Sequence, residues 1–126
     1  MKKIISVAVC FLIVLLFPLL ATGQKETITV ICDNYPYKEG LNTSWGFSCL
    51  IKGLEKTILF DTGVSGTILL ANMTKLGIHP EDIDLVVLSH DHDDHVGGLP
   101  GFLEKYHDVT VYFPNTFFLA GFKYNV

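Results

Sequence analysis

Between Leu88 and Gly98 the chain reads LSHDHDDHVGG, which sets His90, His92 and His95 among Asp91, Asp93 and Asp94. Imidazole nitrogens and carboxylate oxygens suit zinc, and also iron or manganese. Residues i and i+2 at the end of a strand point the same way, so His90 and His92 can grip one ion together. Asp94 and His95 are adjacent and begin the turn toward the next helix, so they face a second ion. Gly97 and Gly98 let the backbone fold tightly against such a site. Two divalent ions sharing a hydroxide would lower its pKa enough to make a nucleophile at neutral pH. The plain alternative is an acidic, solvated loop whose histidines bind nothing. The apolar strand that feeds the cluster is the context expected of a metal loop and favours the first reading. His79 and His107 lie in polar connections and read as turn and surface residues.

The elements that must position this cluster are legible around it. Thr27–Cys32 (TITVIC) is rich in β-branched residues and reads as a strand, followed by a loop from Asp33 to Thr43. Trp45–Ile51 and Thr57–Phe60 flank a Gly53 turn and read as a hairpin. A helix starts after Ser65, carries Ile68, Leu69, Ala71, Met73 and Leu76, and stops at Gly77. Pro80-Glu81-Asp82 opens one helical turn. Leu85–Leu88 is wholly apolar, as a strand covered on both faces should be. A short helix near Phe102–Tyr106 and a strand at Val109–Phe113 complete the order β-β-β-α-β-α-β. That order implies an α/β domain built on a mixed sheet with helices on at least one face.

Composition bounds the rest. Lys2 and Lys3 precede an apolar run over residues 4–20, and Ala21-Thr22-Gly23 follows with small residues. Residues 1–23 therefore read as a signal peptide, which implies an exported (periplasmic or extracellular) protein. An uncleaved membrane anchor through residues 4–20 is the alternative. Residues 24–126 suffice for one domain. The chain carries no arginine and has 13 acids against nine lysines. It is thus a poor nucleic-acid binder, and a small-molecule substrate is the expected partner. Of the three cysteines, Cys10 lies in the leader. Cys32 and Cys49 sit in strand-like runs and read as buried apolar residues more readily than as a disulfide.

With these residues on the page, a resemblance can be stated. The segment from Leu88 to Gly98 resembles the signature of the metallo-β-lactamase superfamily. Phe60-Asp61-Thr62-Gly63, Leu76-Gly77-Ile78 and the run from Asp82 to His90 fit the same family in the same order. Gly46-Phe47-Ser48-Cys49-Leu50-Ile51 is most similar to its dihydropterin ribofuranosylaminobenzene phosphate synthase-like group, and the match runs from Thr27 to Pro114. The resemblance implies a metal-dependent hydrolase that uses a metal-bound hydroxide, on the N-terminal half of an αββα sandwich over residues 24–126. It implies two divalent ions, zinc first. His90 and His92 would hold one ion and Asp94 and His95 the other, with Asp94 at the catalytic centre. Asp61 would orient the metal loop from behind the ligands.

Two departures matter. Asp91 and Asp93 stand where the family often carries uncharged residues. The family's remaining ligands, another His, a bridging Asp and a final His, have no counterpart in this sequence. Four side chains shared by two ions leave each with two, where a catalytic zinc has three protein ligands and a water. The chain is therefore expected to be truncated and weakly active or inactive alone, needing a complementing C-terminal half or self-association. The apolar stretch Phe117–Phe122 is the natural contact surface of a chain that binds a partner without turnover. Two alternatives stand beside the hydrolase. One is a non-catalytic remnant that binds a metal or a partner. The other is a homodimeric aspartic protease pairing two copies of Asp61 to share a proton.

Overall fold

The computed structural model describes residues 25–115. The expected leader (residues 1–23) and the apolar stretch Phe117–Phe122 lie outside the described residues. Five strands form one mixed sheet in the sequential order β1-β2-β3-β4-β5. They are β1 (Thr27–Cys32), β2 (Ser48–Lys52), β3 (Ile58–Phe60), β4 (Leu85–Val87) and β5 (Thr110–Tyr112). The first three pair antiparallel, and β3, β4 and β5 run parallel. The β3–β4 connection carries α1 (Gly66–Leu76) and a 3₁₀ turn (Pro80–Asp82). The β4–β5 connection carries α2 (Asp93–Val96) and α3 (Leu99–Leu103).

Strand alternation divides the side chains between two faces. Leu50, Leu59, Val86 and Val111 are register partners across four strands, so they form one row. That row packs with Leu69 and Met73 of α1 and Leu99 and Phe102 of α3 into the core. The opposite row is Ile28, Ile51, Ile58, Leu85 and Thr110. It is apolar for four of its five positions yet half-buried or exposed, and none of it belongs to the core. The expectation that Leu85–Leu88 is covered on both faces thus holds on one face only: Val86 is buried, while Leu85 and Val87 are half-buried. No helix among the described residues is long and apolar enough to cross a membrane.

Three local expectations shift. The second strand starts at Ser48 instead of Trp45, because Gly46 adopts φ 103° and the Phe47 N–H is spent on Asp94 O at 3.3 Å. The late helix spans Leu99–Leu103 instead of Phe102–Tyr106, with Pro100 in its first turn, where the missing N–H costs nothing. Ser65 occupies the cap position of α1 but makes no side-chain cap bond, whereas Gly77 ends the helix in the left-handed region at φ 67° as expected.

Candidate metal centre

The parallel pairing of β3 and β4 brings two loops out of the same edge of the sheet. Phe60 is the register partner of Val87, so Asp61 leaves β3 beside the start of the His-Asp loop. Its N–H donates to Val87 O at 2.9 Å, and its backbone turns into the left-handed region at φ 54°. Asp is among the few side chains that tolerate this conformation. The turn buries the carboxylate, leaving Asp61 only 1% exposed. Both carboxylate oxygens are hydrogen-bonded. Oδ1 accepts the Ser89 N–H at 2.8 Å, and Oδ2 accepts the Ser89 hydroxyl at 2.7 Å and His95 Nδ1–H at 2.7 Å. Burying a carboxylate is costly unless it is hydrogen-bonded in this way.

Thr62 continues the clamp. Its N–H and its hydroxyl both donate to His95 O, at 2.7 and 2.9 Å. Gly98 donates to Gly63 O at 2.9 Å, and a Cβ on Gly98 would fall 2.1 Å from Thr62 O, so only glycine admits this approach. Gly46 closes the other side, where a Cβ would lie 1.8 Å from Asp94 O. The backbone around Asp94 and His95 is therefore fixed by two segments distant in sequence, one at Gly46–Phe47 and one at Thr62–Gly63.

Against this frame the donors converge. His90, Asp94 and His95 each offer one ligand atom within 4.8 Å of the others. The bond to Asp61 occupies His95 Nδ1 and leaves Nε2 with its lone pair, 3.6 Å from Asp94 Oδ2. Two ligand atoms each about 2.1 Å from a tetrahedral ion stand about 3.4 Å apart, so the pair is spaced as ligands of one ion. The donor set, two imidazoles and a carboxylate, fits zinc. The His90 ring lies 4.2 Å from that of His95 and 4.6 Å, edge-on, from that of His92.

The remaining residues fall outside this group of three. His92 is exposed at the N-cap position of α2, without a side-chain cap bond, and touches the group through the ring of His90. Asp91 is half-buried and Asp93 exposed in the first turn of α2. His107 is exposed, and His79 precedes the 3₁₀ turn with Nδ1 3.9 Å from Glu81. Cys32 and Cys49 are both free and buried. Register puts Cys32 opposite Ser48, and Cys49 opposite Val30, so the two thiols leave opposite faces of the sheet and cannot meet. Burial raises the Cys32 thiol to about 11, with a hydrogen bond to Asn72 working against it. Burial, then the charge of Asp61, raises that of Cys49. In both, burial disfavours the thiolate.

The expectation of paired Asp61 carboxylates in an aspartic protease is overturned. Asp61 is buried, hydrogen-bonded to Ser89 and His95, and followed by α1 from Gly66, so two copies cannot meet to share a proton. Sequence reasoning gave Ser89 and Thr62 no role, although each adjoins a residue it singled out. Asn72 was also missed. It is fully buried on α1, donates to Ile31 O and Asn42 O, and accepts the Asn42 N–H, tying the 33–47 loop to the helix.

Comparison with known proteins gives the family and the fold. Residues 46–123 match the family model described as the metallo-beta-lactamase superfamily. The chain is 35% identical over 108 residues to a 7,8-dihydropterin-6-methyl-4-(beta-D-ribofuranosyl)-aminobenzene-5'-phosphate synthase of Methanocaldococcus jannaschii, covering 79% of this chain and 37% of that protein. It is 37% identical over 73 residues to a ribonuclease Z of Ligilactobacillus salivarius, covering 52% of this chain and 22% of that protein. A metallo-beta-lactamase structure from Thermotoga maritima superposes with a TM-score of 0.53 at 22% identity, over 75% of this chain and 45% of that one, and shares the fold. The chain thus spans well under half the length of the relatives it matches, and over the part it spans it belongs to the metallo-β-lactamase superfamily.

Proposed function

We propose that the chain is the metal-gripping part of a metal-dependent hydrolase, in which His90, His92, Asp94 and His95 are the ligands and Asp61 holds them in place. The observation that carries this reading is the spacing of His95 Nε2 and Asp94 Oδ2, with His90 alongside. Zinc is the fitting ion, with iron or manganese as substitutes. In the fuller arrangement His90 and His92 serve one ion and Asp94 and His95 a second. A bound divalent ion supplies the chemistry by making water a nucleophile at neutral pH. The protein's own task is then to keep His95 in one tautomer, to hold Asp94 beside it and to shield both from bulk water.

Four ligands are too few for two catalytic ions. The same reading therefore has a complementing segment, or a second copy, supply the rest while covering the apolar row from Ile28 to Leu85. The substrate is a small molecule with a bond open to attack by activated water. If residues 1–23 are a leader, the reaction takes place outside the cytoplasm.

Equilibrium dialysis of the full chain against zinc chloride, followed by metal analysis, tests this. Zinc above the buffer level in the wild type, and about tenfold weaker uptake in His95→Ala, is expected. No uptake by the wild type would overturn the reading.

A further inference from the structure

Ser89 stands immediately before the first ligand histidine, and its hydroxyl touches two functional groups at once. Oγ is 2.7 Å from Asp61 Oδ2 and 2.8 Å from His90 Nδ1. A hydroxyl has one proton and two lone pairs, and a carboxylate can only accept. Were the Ser89 proton aimed at His90, two oxygens rich in lone pairs would face each other at 2.7 Å with nothing between them. The proton therefore goes to Asp61, and Ser89 Oγ can only accept from His90. His90 must then carry its own proton on Nδ1 and present Nε2 as the free donor.

We infer that Ser89 is a positioning residue that relays the Asp61 carboxylate to His90, so that one buried acid fixes the tautomer of two metal-binding histidines. It acts directly on His95 and through a single hydroxyl on His90. Both bonds end on the same oxygen, Oδ2, while Oδ1 is held by the Ser89 N–H. Ser89 thus contributes twice: its amide fixes the carboxylate plane and its side chain passes the constraint on. His92 has no hydrogen bond to this relay among the described residues and is held only by ring contact with His90. The device separates the four ligands into a preorganised set and an adaptable one. His90 and His95 offer Nε2 before any ion arrives, whereas His92 must choose its rotamer and tautomer on binding.

The inference rests on His90 being a ligand, but its test reads the metal-free protein first. Nitrogen-15 spectra of the full chain, labelled at histidine and held at about pH 8, above the usual imidazole range, distinguish Nδ1–H from Nε2–H rings. His90 and His95 are expected as Nδ1–H. Ser89→Ala is expected to return His90 to the Nε2–H form that predominates in water. It should leave His95 as Nδ1–H, which also shows that the fold survives. Zinc affinity should fall about 10- to 100-fold in Ser89→Ala. Ser89→Thr, which keeps the hydroxyl at a surface-exposed position, should restore both readouts. The relay is overturned if wild-type His90 carries its proton on Nε2, or if Ser89→Ala leaves the His90 ring unchanged. Lost zinc affinity with an unchanged ring would likewise overturn it, since a purely structural role predicts that result. A wild type that takes up no zinc would defeat the ligand reading, while the ring spectra would still decide the relay.

Discussion

Asp61 Oδ2 accepts His95 Nδ1–H at 2.7 Å across 34 residues of sequence, and the acid is 1% exposed while the histidine lies against His90 and Asp94. This bond joins the end of β3 to the loop after β4. It converts the parallel pairing of two three-residue strands into a fixed direction for one imidazole nitrogen. The centre is thus built from behind: the sheet sets Asp61, Asp61 sets His95, and Thr62 fixes the backbone carrying it.

Asp61→Asn tests this bond. Asn also tolerates the left-handed backbone at this position, so the main chain is not disturbed. An amide offers one acceptor oxygen where three donors converge, and its NH₂ faces a donor. Stability should fall by about 1–3 kcal/mol from the unsatisfied buried groups. Zinc affinity should fall about 10- to 100-fold. Chemical denaturation and a zinc competition titration measure the two, and a wild-type value in both would contradict the role given to Asp61.

Two glycines separate close approach from backbone conformation. Gly98→Ala places a Cβ 2.1 Å from Thr62 O, so backbone must move and the metal loop with it. A loss of about 1–3 kcal/mol is expected, together with weakened zinc binding. Gly77→Ala meets nothing within 4 Å and bears only the left-handed conformation at φ 67°. It should cost about 1 kcal/mol and leave zinc binding intact. Equal effects of the two on zinc affinity would show that the loop is not held by this approach.

Asp84 offers a pH test away from the centre. Its carboxylate accepts the Thr57 N–H at 2.8 Å and stands 3.5 Å from Lys56. The Thr57 bond, aided by Lys56, holds its pKa below the ordinary carboxylate value against the opposing effect of desolvation. A depressed folded value means stability that is present above the unfolded pKa and lost as pH falls through the folded one. The stability difference between wild type and Asp84→Asn should therefore be steady from neutral pH down to about 4 and shrink below it. Thermal melts across that range measure it. A difference growing toward acid would contradict the assignment.

The cysteines give a fourth test. With the Cys32 thiol at about 11, against an ordinary 9.0, and Cys49 also raised, native protein at about pH 8 should resist iodoacetamide. In denaturant both thiols should label fully, as no disulfide joins them. Because the folded value is raised, the contribution of Cys32 to stability is complete below 9.0 and is lost as pH rises toward about 11. Rapid labelling of the native protein would show that these strands open readily.

What the sequence makes legible follows the reach of each interaction. Thr27–Cys32 is a strand with the expected ends, because β-branched residues carry that preference locally. Gly77 stops α1 for an equally local reason. The start of β2 is not legible, since Trp45 and Phe47 look strand-like and only the contact between Gly46 and Asp94, far apart in sequence, pulls them out of the sheet. The pairing of His90 with His92 was expected from strand alternation. β4 ends at Val87 and α2 begins at Asp93, so His90 and His92 lie in the connection between them, with their rings 4.6 Å apart. The turn into α2 brings Asp94 and His95 round to His90. Ser89 stayed hidden because its part depends on a hydroxyl reaching Asp61, 28 residues earlier.

Zinc-edge X-ray absorption on the full chain loaded with one equivalent of zinc tests the central claim most directly. The account predicts nitrogen and oxygen ligands alone at about 2.0–2.2 Å, with imidazole scattering that drops in His90→Ala and in His95→Ala and is unchanged in His107→Ala. A sulfur shell at about 2.3 Å, or imidazole scattering that survives both substitutions, would place the ion elsewhere and contradict it.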